Sequence, residues 1–156
     1  MAKKRQIPHS LWRRMGALNV RLISRLERGR GPGSLVLLLT TTGRKSGLPR
    51  MTPLQYEEHQ GIIYIASARG QQADWFKNLE VDPQVRYQIR GESFAAVAEP
   101  ITDPKRIADF LELRLRRHPV MIRLIMFAEG LPFHFSRADL EEFSRDKAMV
   151  ALHRCD

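Results

Sequence analysis

The amino-acid sequence predicts a single domain of the α+β class that is mainly β, a small antiparallel barrel with helical additions. Three observations support this prediction. Short apolar and β-branched runs separated by tight turns occupy residues 35 to 100, as in antiparallel sheets. Helical periodicity is found before these runs, once briefly among them, and again after residue 103. The chain has 156 residues and is 43% hydrophobic, which suffices for one core but not for two full domains.

Residues 1 to 31 are predicted to form a basic amphipathic N-terminal arm. Apolar residues recur at near-helical intervals from Leu11 to Leu26, and the glycines that follow end the pattern as a flexible link. The arm holds nine Lys and Arg residues against one Glu, so it carries +8 of the net charge of +9. The body, residues 32 to 156, is therefore nearly neutral. We interpret the arm as a helix packed on the body, with contact to an anionic membrane surface as the alternative.

The first predicted strand and the hairpin after it come next. Residues 35 to 42 are apolar and β-branched and stop at a glycine, which is typical of a buried strand. Gly43 and Gly47 allow positive φ at both ends of a tight connection. Between them the chain projects two cations and a hydroxyl, an arrangement able to bind an anion; the alternative is a solvated turn. Pro53 in the return strand indicates an unpaired edge, a bulge or backbone left free for a ligand.

Three further strands and one short helix are predicted before residue 100. A third strand spans residues 62 to 67, and a short helix spans residues 73 to 79. Residues 85 to 90 alternate apolar and polar side chains, as in a half-buried strand, and residues 93 to 99 follow as a strand after a turn. Successive strands joined in this way should run antiparallel.

The last third of the chain is predicted to be helical and to end in a strand. Asp103 caps a helix that continues to a break at His118. The very apolar residues 120 to 127 follow. A capping box at residues 136 to 139 begins another short helix, and residues 149 to 152 form the final strand.

Composition and motifs exclude several classes of function. The single cysteine, Cys155, allows no intramolecular disulfide, so a reducing, cytoplasmic compartment is expected. The five histidines lack the paired spacing of a metal site, and no metal is expected. Hydrolase, nucleotidase and Rossmann motifs are missing. Because the basic arm has no recognised reading motif and the body has almost no excess charge, no nucleic-acid partner is expected.

Residues 35 to 100 also contain an ordered series of motifs. The first, at residues 40 to 56, reads Thr-Thr-Thr-Gly-Arg-Lys-Ser-Gly-x-Pro-Arg-x-Thr-Pro-Leu-x-Tyr. Ala-Ser at residues 66 and 67, Asp-Trp-Phe-x-Asn-Leu at residues 74 to 79 and Asp-Pro-x-Val at residues 82 to 85 follow it. Several motifs in a fixed order are far more specific than any single one. Together they resemble the deazaflavin (F420)-dependent nitroreductase family.

The resemblance implies that residues 32 to 156 form a split β-barrel, the flavin-binding-like fold, and bind the deazaflavin coenzyme F420. Such a cofactor performs its own hydride chemistry, so the protein must hold the ring, anchor the anionic tail and leave one ring face open. The cations and hydroxyl of the hairpin suit the tail. The expected tail contacts are Arg44, Lys45, Ser46 and Arg50. The expected contacts near the ring are Met51, Thr52, Pro53, Ser67, Ala68, Arg69, Gly70, Trp75 and Asn78.

These assignments compete with structural interpretations. Lys45 and Arg50 are also explained as surface charges, Trp75 as core packing, and Asn78 as a cap of its helix or a partner of the loop. The loop after Ser67 is shorter than the glycine-rich version of the family, which affects the ring contacts expected there.

The acceptor pocket departs from the family pattern. The C-terminal helical region contains no tyrosine, so no tyrosine proton donor is carried over and the catalytic residues stay unassigned. We expect an apolar pocket lined by Met121, Ile125 and Met126, with core packing as the alternative. The predicted reaction is hydride transfer from the reduced deazaflavin to an activated double bond, a quinone or a nitro group, with water completing protonation.

Two other functions stay open. One keeps the fold and replaces the deazaflavin with flavin mononucleotide (FMN), bound through the same basic turn. The other is a non-catalytic cofactor or lipid carrier whose apolar helical segment shields its cargo. The resemblance also implies a homodimer, since split barrels of this kind often pair across the sheet.

Overall fold

A computed structural model of the chain describes residue 21, residues 36–67 and residues 69–156. The predicted N-terminal arm lies outside the described residues apart from Arg21, and so does Ala68. The boundary between the arm and the body therefore stays a prediction.

Six strands within the described residues close into an antiparallel barrel with the order β1-β2-β3-β6-β5-β4. This confirms the predicted fold class. Strands β5 and β6 are longer than expected because their end residues have partners: Ile101 of β5 pairs with Met149, and Ala148 and Arg154 of β6 pair with β3 and β5. The strands are β1 Val36–Thr42, β2 Pro49–His59, β3 Ile62–Ser67, β4 Gln84–Ile89, β5 Glu92–Ile101 and β6 Ala148–Arg154.

The barrel interior is filled by one face of each strand. Leu37 and Leu39 of β1, Ile65 of β3 and Val150 of β6 point inward and are fully buried. Alternation places these apolar side chains on one face of the pleated sheet. Phe76, from the short helix after β3, joins the same core. This helix is therefore fixed to the barrel by its apolar side.

Besides a 3-10 helix at Gly70–Gln72, four α-helices complete the described fold. They are α1 Asp74–Val81, α2 Pro104–Arg117, α3 Pro119–Ala128 and α4 Arg137–Ser144. The Asp103 carboxylate accepts a hydrogen bond of 3.1 Å from the Lys105 backbone N–H, which caps α2. At α4, Ser136 and Asp139 form both halves of the capping box. Both predicted helix starts are confirmed.

Helices α2, α3 and α4 cover the outer face of the barrel. Ile107 and Phe110 of α2 pack on Met149 of β6, and a further layer joins Ile122 of α3 to Leu140 of α4. None of the helices in the described ranges is both long and apolar enough to cross a membrane.

The barrel is split along part of β2. Pairing between β2 and β3 begins at Tyr56 and Ile65, whereas the earlier residues of β2, Pro49 to Gln55, pair with β1. Among the described residues, this half of β2 forms no pairs on its other side. The unpaired edge expected from Pro53 is thereby confirmed, and backbone groups of β2 are left available for a ligand.

Candidate functional site

A cleft of about 420 Å³ lies between the β1–β2 hairpin, the start of β2 and helix α1. We call it the hairpin cleft. Eight of the residues expected to contact the cofactor line it, together with Gly43 and Asp74. The eight are Arg44, Lys45, Ser46, Arg50, Met51, Thr52, Trp75 and Asn78.

The hairpin tip is held by three short-range hydrogen bonds. The backbone N–H of Gly43 donates to Leu48 O and that of Gly47 donates to Gly43 O, each over 2.8 Å. The Leu48 N–H donates to Ser46 Oγ over 3.2 Å. Only part of the glycine prediction is correct, since Gly47 has a φ of +69° but Gly43 does not adopt positive φ. Space is tight at Gly43 instead, because a Cβ there would lie 2.7 Å from Ser46 Oγ and 3.2 Å from Leu48 O, so a larger residue would force the Ser46 side chain to move.

Arg44 joins the hairpin tip to helix α1. Its Nη1 donates to Asn78 Oδ1 over 2.9 Å, and its Nη2 donates to Asp74 Oδ1 over 3.1 Å. The hydrogen bond from Arg44 lowers the pKa of the Asp74 carboxyl below its usual value. The charge of Arg44 is thus largely compensated within the protein. Its position favours a role in holding the turn in place.

Asn78 is a buried polar link in the same contact. Its Oδ1 also accepts from the Arg44 backbone N–H over 3.2 Å, and its Nδ2 donates to Thr41 Oγ1 over 3.3 Å. Because both ends of the amide are occupied, Asn78 supports the loop and β1. Of the three interpretations of this residue, as a cofactor contact, a helix cap or a partner of the loop, the structure favours the one in which it binds the loop.

Lys45 and Arg50 are the unpaired cations of the hairpin cleft. Both side chains are exposed, and within the described part of the chain neither forms an ion pair. Since Arg44 and Asp74 compensate each other, the cleft carries a net positive charge from Lys45 and Arg50. The two cations and the hydroxyl of Ser46 can bind a phosphate or a carboxylate here.

Trp75 belongs both to the core and to the cleft wall. It is 8% exposed, packs with the barrel core, and meets the Phe76 ring edge-on at 6.0 Å. It also lines the hairpin cleft. The two interpretations of this residue are therefore compatible.

A second cleft, of about 210 Å³, lies where the split edge of the barrel meets helices α2, α3 and α4. We call it the helical cleft. Gln55, Ala66 and Ser67 line it from the barrel, and Ile125 and Met126 line it from α3. Met121 is not among its lining residues and lies on α3 with 40% of its surface exposed. The expected pocket thus includes two of its three predicted residues, and Met121, one helical turn before Ile125, lies outside it.

The remaining residues expected near the ring do not line the hairpin cleft. Ser67 is buried and lines the helical cleft instead, and Pro53 pairs with Leu38 of β1. Gly70 has a φ of +58° and packs on the backbone oxygen of Asp146, where a Cβ would collide. This close packing explains why a glycine occupies position 70. Arg69, next to it, is exposed.

Sequence reasoning missed Arg114, which lines the helical cleft from α2. It lies four residues after Phe110 and seven after Ile107, so the helical period places it on the apolar stripe of α2. A charged residue on the apolar stripe of a helix was the signal in the sequence that could have identified Arg114. Burial lowers the pKa of the Arg114 guanidinium, and the Glu57 carboxylate, 3.8 Å from Nε, opposes that effect.

Comparison with known proteins agrees with this geometry. A family model described as F420H(2)-dependent quinone reductase matches residues 12–121. An F420H(2)-dependent quinone reductase of Mycobacterium tuberculosis is 31% identical over 102 residues, covering 58% of this chain and 68% of the relative.

Solved structures share the fold. A conserved hypothetical protein of Mycobacterium tuberculosis, Rv2991, has a TM-score of 0.55 at 16% identity, covering 88% of this chain and 80% of that chain. An F420-H2 dependent reductase, FDR-A, has a TM-score of 0.50 at 21% identity, covering 74% of this chain and 92% of that chain. At these identities the likeness concerns the architecture of the barrel and its helices.

Proposed function

Because the chain belongs to the F420H(2)-dependent quinone reductase family, we propose that it reduces quinones with reduced coenzyme F420. Nitro groups and activated double bonds are further acceptors for the same hydride chemistry. When bound, the deazaflavin supplies the hydride. The protein supplies the binding, the orientation and the electrostatic environment.

One observation carries the proposal: the unpaired edge of β2 connects the two clefts. Arg50, Met51 and Thr52 line the hairpin cleft, and Gln55 lines the helical cleft on the same strand. From Arg50 to Gln55 the strand extends about 17 Å at the usual rise per residue. A long ligand with an anionic end and a flat ring suits this path, since the cations lie at one end and the apolar cleft at the other.

The residues of the hairpin cleft fit the tail of coenzyme F420. This tail extends beyond a phosphate into carboxylates, and Lys45 and Arg50 have no competing acidic partner among the described residues. Arg44 and Asn78 hold the turn that presents Lys45 and Ser46. FMN ends at its phosphate, so it would use fewer of these contacts.

The acceptor would enter the helical cleft. Its walls are mainly apolar, and Ile125 and Met126 would exclude water from one side of the reacting centre. Helices α2, α3 and α4 contain no tyrosine. Protonation of the product would therefore depend on water.

Titration and turnover test the proposal together. Purified protein should bind coenzyme F420 more tightly than FMN, as followed by the absorbance and fluorescence of each chromophore. It should also oxidise reduced F420 only when a quinone is added. If FMN binds more tightly and reduced FMN supports quinone reduction, the cofactor is FMN and not the deazaflavin. Binding of either cofactor without any turnover would support a carrier.

We further propose that the protein works in the cytoplasm and touches anionic membrane surfaces. The basic arm carries +8 of the net charge. On α3, Val120, Leu124 and Phe127 are more than half exposed, so an apolar helix face is open to solvent. Such a face beside the helical cleft suits an acceptor that is dissolved in lipid.

A homodimer is the assembly we propose, from the resemblance to split barrels. A solved structure described as a domain-swapped dimer shares the fold at 20% identity and a TM-score of 0.53. Sedimentation velocity on the full chain distinguishes a dimer from a monomer over a range of concentrations.

A further inference from the structure

Two buried side-chain atoms in the described part of the chain have no hydrogen-bond partner there: Ser67 Oγ and Arg114 Nε. Both residues line the helical cleft, although they come from β3 and α2. Buried polar atoms without a partner are rare in folded proteins, because they lose water without gaining a replacement. Two of them in one cleft indicate a ligand that supplies the missing partner.

The chemistry of the two atoms limits what that ligand can be. Arg Nε can only donate a hydrogen bond, and a serine hydroxyl can donate one as well. Phe110, Ile122 and Met126 make the surrounding wall apolar. The ligand should therefore have an apolar body with exposed oxygen acceptors, as a quinone does.

The charge of Arg114 is only partly compensated. The Glu57 carboxylate lies 3.8 Å from Arg114 Nε but only 2.8 Å from Arg117 Nη1. His118 Nε2 approaches the same carboxylate at 3.6 Å. Glu57 is shared among these basic groups, and the other carboxylate that acts on Arg114, Glu129, pairs with Lys147 Nζ at 3.1 Å, so neither carboxylate compensates Arg114 alone. An arginine remains charged at neutral pH.

We propose that Arg114 binds a carbonyl oxygen of the acceptor quinone and stabilises the negative charge that develops there, with Ser67 as the second donor. The inference rests on the proposed function. Hydride transfer brings one hydrogen and two electrons to the quinone, leaving one oxygen as the anion of the hydroquinone, while the hydride donor is oxidised. A proton from water then completes the hydroquinone. Arg114 favours this step because the anion binds a fixed cation better than the neutral carbonyl does.

Binding to the cofactor-free protein tests the recognition part. The probes are 2-methyl-1,4-naphthoquinone and 2-methylnaphthalene, which share a body but differ in oxygen, and calorimetry measures both affinities. Arg114→Met should weaken quinone binding about tenfold and leave hydrocarbon binding unchanged. Ser67→Ala should weaken quinone binding by a smaller factor. Arg116→Met removes an arginine that lies on the same helix outside this cleft, and it should leave both affinities within about twofold.

Turnover tests the catalytic part. With reduced F420 and saturating naphthoquinone, Arg114→Met should lower kcat by about 100-fold or more, as expected for loss of one donor to a developing oxyanion. Arg114→Lys keeps the charge and should recover part of this loss. If Arg114→Met does not fold, Arg114→Lys and Ser67→Ala still decide the matter, because both preserve the packing of the cleft more closely.

The outcomes separate this inference from the proposed function. If the wild-type protein reduces the quinone and Arg114→Met has the same quinone affinity and the same kcat, the role of Arg114 is overturned. Quinone reduction as the proposed function then stays in place. Equal losses for the quinone and the hydrocarbon would show a packing role and would also overturn the proposed role of Arg114. If the wild-type protein binds the quinone but never oxidises reduced F420, the proposed function fails, and the binding data alone decide whether Arg114 recognises the oxygen.

Discussion

Asn78 Oδ1 accepts hydrogen bonds from both the backbone N–H and the Nη1 of Arg44, over 3.2 and 2.9 Å. One buried amide on α1 therefore fixes both the backbone and the side chain of a hairpin residue 34 positions earlier in the chain. The turn that presents Lys45 and Ser46 is positioned by this contact. Stability and cofactor affinity should consequently respond differently to changes at Asn78, Arg44 and Lys45.

Asn78→Ala should lower the stability of the protein. The substitution leaves the Arg44 N–H and Thr41 Oγ1 without their partner, which costs about 1 to 3 kcal/mol. The melting temperature should fall by about 3 to 10 °C. Asn78→Asp keeps an acceptor for Arg44 and should lose less. A melting temperature for Asn78→Ala equal to that of the parent would show that water replaces the amide.

Lys45→Ala and Arg50→Ala should each weaken F420 binding about tenfold and leave the fold intact. A charge-assisted contact contributes about 1.5 to 3 kcal/mol when shielded, and these exposed side chains belong at the lower end. Lys105→Ala removes an exposed charge from α2, outside the hairpin cleft, and should have no effect. Fluorescence titration measures the affinities. If the Lys45→Ala, Arg50→Ala double variant has unchanged F420 affinity, the anionic tail does not bind in this cleft.

The pairing of Asp74 with Arg44 should make stability depend on pH in the acid range. The folded-state pKa of Asp74 lies below the unfolded value of about 3.9, so its contribution is present above that pH and is lost as the pH falls through the folded pKa. The Asp74 side chain is 78% exposed, so the contribution should stay below about 1 kcal/mol. Urea unfolding between pH 5 and pH 2 should therefore show a shallower loss in Asp74→Asn than in the parent. Parallel curves for the two proteins would contradict the prediction.

Gly43→Ala and Gly47→Ala should have different effects, because Gly43 lies in a crowded position and Gly47 adopts a positive φ. A Cβ on Gly43 would meet Ser46 Oγ at 2.7 Å and Leu48 O at 3.2 Å, whereas a Cβ on Gly47 would meet nothing within 4 Å. Gly47→Ala should cost about 1 kcal/mol from its positive φ and leave F420 affinity nearly unchanged. Gly43→Ala should displace Ser46 and weaken F420 binding several-fold. Equal affinities in the two variants would mean that the tip adapts without moving the anion site.

Removal of residues 1 to 31 should reduce binding to anionic vesicles and leave F420 affinity unchanged. The segment carries +8 of the +9 charge, and basic residues near an anionic surface contribute about 1 kcal/mol each. Sedimentation with phosphatidylserine-containing vesicles compares the full and shortened chains, and neutral vesicles serve as the control. If both chains bind the anionic vesicles equally, the arm has no part in membrane contact.

The sequence by itself determined the order of the strands and helices, because their signals are local. Alternating apolar residues, turn glycines and the caps at Asp103 and Ser136 each act within a few residues of their own position. The motif series also led to the hairpin, and it placed Lys45 and Arg50 on neighbouring parts of one turn and strand. Pro53 indicated where the barrel would open, since proline cannot donate to a second neighbour.

Only the tertiary structure decided which charges are available and which polar atoms lack partners. In the sequence Arg44 and Lys45 are equivalent, since both are basic residues of the hairpin tip. In the structure Asp74, 30 residues later, compensates the charge of Arg44. Ser67 belongs to the same motif series as the hairpin, yet the split of the barrel places it in a different cleft. Arg114 gains its position only when α2 packs on the barrel beside Glu57. These properties depend on which distant segments meet, and side-chain pairing between them follows packing rather than local periodicity.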